Sequence, residues 1–93
     1  LITAAGNTMA PAMVKIYKLF EQSQTTQAMD VFRKAWPVIT GSFIEVNPTC
    51  PKYLLNKLGL CSAEVRLPLG ELTQKTKETL DRIFETYPKE FFI

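Results

Sequence analysis

The chain has 93 residues, 46% of them apolar, and a formal net charge of +2 from 11 basic and 9 acidic side chains. That length supports one modest globular domain, burying roughly two-thirds of its unfolded surface. The charges are scattered, with no lysine or arginine run and no aromatic interleaving, so the expected partners exclude nucleic acid.

Residues 1–5, "LITAA", form a short apolar run of β type that ends in turn chemistry at Gly6 and Asn7. From Pro11 to Gln22, Met13, Ile16, Tyr17 and Phe20 fall at i, i+3, i+4 and i+7 with Lys15, Lys18 and Glu21 opposite, which predicts an amphipathic helix broken at Ser23. A second helix opens at Thr25 or Thr26, carries Ala28, Val31, Phe32, Ala35 and Ile39 on one stripe, and reaches Phe43. Pro37 lies inside it, removes one backbone hydrogen bond, and predicts a bend between Arg33 and Pro37. The stretch "EVNPTCPKYLLNKLGL", Glu45 to Leu60, predicts a third helix over Pro48 to Leu58. Asn47 reads as its N-cap, and Pro48 and Pro51 fall in the first turn, where a missing N–H costs little. Leu54, Leu55 and Leu58 supply its stripe, and Gly59 stands where a left-handed C-terminal cap belongs. "VRLPLG" follows as an extended segment, since Pro68 forbids helix there. Thr73 then caps a fourth helix with Leu80, Ile83, Phe84 and Tyr87 as its stripe, ended by Pro88. The fold class is mostly α: four helices and one short strand, with no internal repeat.

Reactive side chains are sparse. The chain has no histidine, which removes the commonest general base, the commonest metal ligand and every Ser-His or Cys-His nucleophile. No metal site and no cofactor are expected, and no Gly-rich phosphate loop is present. Cys50 and Cys61 are too few for a disulfide framework and wrongly spaced for a C-x-x-C motif, so they read as reduced thiols of a cytoplasmic protein. No apolar run approaches the roughly 20 residues of a membrane span, and the first residues lack the basic flank of a signal peptide, so no membrane partner is expected. On the fourth helix Glu78, Asp81 and Glu85 interleave with Lys75, Lys77 and Arg82, which reads as a solvated, salt-bridged face rather than a carboxylate site. Trp36 and the aromatics Phe20, Phe32, Phe43 and Phe84 fall on helical stripes and read as core. The eight lysines fall on polar helical faces or chain ends, so none is expected to be catalytic.

Glu45, Asn47, Pro48 and Lys52, then Leu58-Gly59-Leu60, then Arg66-Leu67-Pro68-Leu69, resemble the C-terminal signature of the dihydrodipicolinate synthase and N-acetylneuraminate lyase family of pyruvate-dependent class I aldolases. The departures are Cys50, where the synthases usually carry the second proline, and Pro51, displaced by one residue. "ITAAGN" is similar to the family's eighth barrel strand, and Pro37 matches a proline in the helix after it. The resemblance implies that residues 1–22 are the last strand and helix of a (β/α)8 barrel and residues 23–93 a helical C-terminal extension. The Schiff-base lysine and the proton-relaying tyrosine would lie on strands outside this chain, as would the loops that choose the aldehyde. The implied reaction of the full enzyme joins pyruvate, held on lysine, to an aldehyde such as aspartate semialdehyde, and the full enzyme is expected to be a homo-oligomer. Asn7 and Thr3 are the substrate-pocket candidates, because they flank the end of a barrel strand. Asn7 also reads as a helix cap or turn residue. The alternative for the whole chain is a free-standing helical interaction module without enzymatic activity. With its barrel neighbours absent, "LITAA" is expected to fray, to be recruited by a second copy, or to be absorbed into the first helix. The first helix would present Met13, Ile16 and Phe20 for self-association.

Overall fold

The computed structural model describes residues 1–92. Ile93, the last residue of the expected extension, lies outside them. Four α-helices follow in order: α1, Gly6–Glu21; α2, Thr25–Gly41; α3, Thr49–Lys57; α4, Gln74–Thr86. A short 3-10 helix, Lys89–Phe91, ends the described chain. α1 packs on α2, α2 on α4, α3 on both α1 and α4, and the 3-10 helix on α1. The shared core holds Met9, Ala12, Ala35, Val38, Leu54 and Leu80, all sealed from solvent.

The expected strand is not there. Among the described residues none is in a strand: Leu1 and Ile2 are exposed, Ala4 and Ala5 form a turn, and α1 begins at Gly6. A lone strand leaves its backbone N–H and C=O groups without partners, whereas a helical start satisfies them locally. Here Gly6, Asn7 and Thr8 donate to the carbonyls of Thr3, Ala4 and Ala5. The helix therefore starts five residues before the expected Pro11. Pro11 still leaves a mark, since its ring crowds the carbonyl four residues back, and Met9 leaves helical geometry at φ −139°, ψ 46°.

The expected left-handed cap at Gly59 is present, and the expected break at Ser23 lies in the left-handed region too. Gly59 has φ +74°, and the N–H groups of Gly59 and Leu60 donate to Asn56 and Leu55 carbonyls at 2.9 and 3.0 Å, the paired bonds of a Schellman cap. Ser23 (φ 59°) closes α1 the same way, with Ser23 and Gln24 donating to Phe20 and Leu19. α2 runs through Pro37 and stops at Gly41, two residues short of Phe43. α3 has Pro48 rather than Asn47 at its N-cap, with no side-chain cap, and Pro51 sits buried in the first turn. Thr73 caps α4 as expected, its Oγ1 accepting from the Thr76 N–H at 3.3 Å.

The aromatic residues divide differently from the sequence reading. Phe84 is half-buried, but Phe20, Trp36 and Phe43 are 66%, 51% and 55% exposed, and Phe32 is 37% exposed. The α2 core stripe is made of small and branched residues instead, Ala28, Val31, Ala35 and Val38, which lets neighbouring helices approach closely. The core aromatics are Phe91 and Phe92, each 4% exposed, with the Phe92 ring 5.2 Å from that of Phe84. Of the α1 residues expected to drive self-association, Met13 is buried in the core, Ile16 is half-buried, and only Phe20 stays exposed.

Candidate functional site

Thr3 and Asn7 sit at opposite sides of the turn that opens α1. Thr3 Oγ1 accepts from the Ala5 N–H at 3.3 Å, and Asn7 Nδ2 donates to the Ala4 carbonyl at 3.0 Å. Each side chain therefore closes the turn on itself. Thr3 also lines an open groove of about 360 Å³ with Gly6, Met13, Val14 and Tyr17, whose walls are almost wholly apolar. Asn7 is not among the groove's lining residues. No lysine, arginine, aspartate or glutamate is among the described residues that line the groove.

Of the signature residues, Glu45 reaches the start of α4. Glu45 Oε1 accepts from the Thr73 N–H at 3.0 Å and from Thr73 Oγ1 at 2.8 Å, across 28 residues of chain. A carboxylate at a helix N-terminus meets unpaired N–H groups and the positive end of the helix dipole. Hydrogen bonding from the Thr76 hydroxyl, then from the Thr73 backbone and side chain, holds the Glu45 carboxyl below its ordinary value. Lys52 Nζ donates to the Glu64 carbonyl, and Asn56 Nδ2 to the Cys61 carbonyl at 2.9 Å, so α3 grips the extended segment that follows it. Within the Glu-x-Asn-Pro-x-x-x-Lys run, Glu45 thus ties the loop before α3 to α4, and Lys52 ties α3 to the segment that follows it.

A second cluster joins α3 to α4. Asp81 Oδ1 accepts from Tyr53 Oη at 2.8 Å and from Lys57 Nζ at 2.9 Å, and Lys57 lies 5.5 Å from the centre of the Tyr53 ring. Burial works to raise the Asp81 carboxyl, and the bonds from Lys57 and Tyr53 outweigh it and hold the group low. The Asp81 bond raises Lys57, and burial followed by the same carboxylate raises Tyr53. Lys57 is thereby held as an ammonium and Tyr53 as a phenol, the opposite of what a Schiff-base lysine and its proton relay require. The expected salt-bridged face of α4 is thus tied to other elements: Asp81 to Lys57 of α3, and Lys77 to Glu71 at 3.5 Å. Nothing local in the sequence marks Tyr53, Lys57 and Asp81 as neighbours, since the contact is made by helix packing.

Cys50 is buried and Cys61 exposed, both free thiols, and burial raises the Cys50 thiol, which disfavours its thiolate. Among the described residues no group of three potential ligands could hold a metal ion, and no helix is long and apolar enough to cross a membrane.

Over residues 1–87 the chain matches the family described as dihydrodipicolinate synthetase. The 4-hydroxy-tetrahydrodipicolinate synthase of Thermosipho melanesiensis is 34% identical over 85 residues, covering 91% of this chain and 30% of that protein. That of Listeria monocytogenes is 32% identical over 89 residues, covering 96% and 30%. Among solved structures, dihydrodipicolinate synthase from Thermotoga maritima superposes with a TM-score of 0.76 at 31% identity, over 80% of this chain and 25% of that one. A monomeric dihydrodipicolinate synthase variant superposes at 0.81 with 29% identity, over 91% and 28%. The chain spans about 30% of the length of the curated relatives it matches. The family match runs along nearly the whole chain: it belongs to the dihydrodipicolinate synthetase family.

Proposed function

We propose that this chain is the C-terminal scaffold part of a dihydrodipicolinate synthase-like lyase and is not itself catalytic. The observation that carries the reading is coverage: the family match runs over residues 1–87 of this chain yet accounts for only about 30% of its relatives. The residues of the signature support it, because Glu45 ties the start of α4 and Lys52 ties α3 to the extended segment after it. In the full enzyme, pyruvate bound to lysine as an enamine attacks an aldehyde such as aspartate semialdehyde, without a cofactor, in a cytoplasmic homo-oligomer. Residues 1–22 belong to the closing strand and helix of the barrel and residues 23–93 to the extension. "LITAA" becomes a strand once a neighbouring strand supplies hydrogen-bond partners, and Thr3 and Asn7 then come to stand at the rim of the substrate pocket.

Incubation of the chain with pyruvate and borohydride is expected to leave its intact mass unchanged. A single-site increase would make one of its lysines a nucleophile and overturn the scaffold reading. The coding sequence ahead of Leu1 separates the scaffold from a free-standing helical module. Seven further strand–helix units support the former, and a start codon there would overturn it.

A further inference from the structure

A hollow of about 380 Å³ lies against the segment that joins α3 to α4. Every residue lining it belongs to α3, to that segment or to the first turn of α4, so this chain alone builds its walls. Four ties hold the segment along its length: Asn56 to the Cys61 carbonyl, Lys52 to the Glu64 carbonyl, Glu45 to Thr73, and Lys77 to Glu71. A hollow fixed in this way is pre-organised, and a ligand entering it orders little of the chain. Thr49 of α3 stands in its wall. The residue is 6% exposed, yet among the described residues its hydroxyl has no hydrogen-bond partner. No fully enclosed side-chain oxygen lacks a partner among those residues, so the opening that this hydroxyl keeps is onto the hollow. A largely buried hydroxyl left unpaired costs free energy that a ligand able to bond it recovers.

The charges around the hollow select the ligand. Glu64, Glu71 and Lys77 line it, two carboxylates against one ammonium. Lys77 lies 3.5 Å from Glu71, so those two charges offset one another. The Glu64 carboxylate makes no ion pair or hydrogen bond among the described residues, because only the Glu64 backbone is engaged, by Lys52 and Ser62. Val65, Leu69 and Leu72 supply apolar wall. We propose that this hollow is a binding site for a small organic ammonium, with the Glu64 carboxylate as its counter-ion, the Thr49 hydroxyl as a hydrogen-bond acceptor, and its short apolar body on Val65, Leu69 and Leu72. An anion meets the opposite balance, since the one cation in the wall is already paired. The site uses no residue of the barrel part, 1–22, and stands whether or not the scaffold reading holds.

Titration of the 15N-labelled 93-residue chain with n-butylammonium, followed by amide chemical shifts at constant ionic strength, tests it. Butyrate and n-butanol, which carry the same apolar body, are titrated in parallel. n-Butylammonium is expected to give saturable shifts confined to the amides around Thr49 and residues 62–72, with a Kd of about millimolar order for so small a ligand. Butyrate and n-butanol are expected to bind at least about fivefold more weakly. Glu64→Gln removes the counter-ion at an exposed position and keeps the backbone carbonyl that Lys52 holds, so the fold is retained while affinity falls about fivefold or more. Thr49→Val keeps the shape of the wall without the hydroxyl and is expected to weaken binding about threefold. Circular dichroism of both variants is expected to match the parent. Absence of saturable shifts, shifts centred elsewhere, equal binding of butyrate or n-butanol, or an affinity indifferent to Glu64→Gln in a folded chain would each overturn the assignment.

Discussion

Gly41, the last residue of α2, faces Leu80 and Ile83 of α4, and adding one methyl group there tests the packing directly. A Cβ on Gly41 would lie 3.0 Å from Ile83 Cδ1 and 3.4 Å from Leu80 Cδ2. The first distance demands movement, and the second is ordinary contact. Leu80 is fully buried and cannot swing away, so the strain falls on Ile83. Overpacking of this kind costs about 1–3 kcal/mol, against a gain of about 0.5–1 kcal/mol for Ala over Gly in a helix. Gly41→Ala is therefore expected to destabilise by about 1 kcal/mol net, which lowers Tm by about 4–8 °C in a domain of this size. Ile83→Val deletes the one atom that opposes the new methyl, at its own cost of about 0.5–1.5 kcal/mol. In that background Gly41→Ala should be neutral or stabilising, giving a favourable coupling of about 1 kcal/mol. Urea and thermal unfolding of the four proteins of the cycle, followed by circular dichroism, measure it. Additivity within about 0.3 kcal/mol would refute the claim that Ile83 Cδ1 limits the approach of the two helices.

The two left-handed caps predict opposite responses. Gly59→Ala meets no neighbouring atom, so its cost is purely conformational, about 1 kcal/mol, while Ser23→Gly should gain somewhat less than that by relieving the same strain. Thermal unfolding that moved both in one direction would contradict the backbone geometry. Glu45 predicts an acid-side slope. Its folded carboxyl lies below the ordinary 4.5, so the unfolded chain binds the proton more readily and stability rises with pH there. The contribution is complete above the unfolded value and is lost as pH falls through the folded one. Glu45→Gln should flatten the profile in that window and leave the rest of the curve in shape, and an unchanged acid slope would show that Glu45 does not tie α4.

Much of this protein is readable from residues close together in the chain. Gly59 and Thr73 act within one helical turn of themselves, so the stop of α3 and the cap of α4 follow from sequence alone. The absence of histidine excludes chemistry without reference to any fold. The signature from Glu45 to Leu69 points to the family, because its spacing is carried in the order of residues. What tertiary structure decided depends on partners far away in sequence. A strand exists only beside another strand, so "LITAA" is irregular chain and a turn that leads into α1. An apolar stripe is core only where a second surface covers it. Periodicity places Ala35 and Trp36 on adjacent faces of α2, and helix packing alone buries the first and leaves the second half open. The tie from Glu45 to Thr73 and the meeting of Tyr53, Lys57 and Asp81 span long stretches of chain, and they arise only after α3 and α4 have docked.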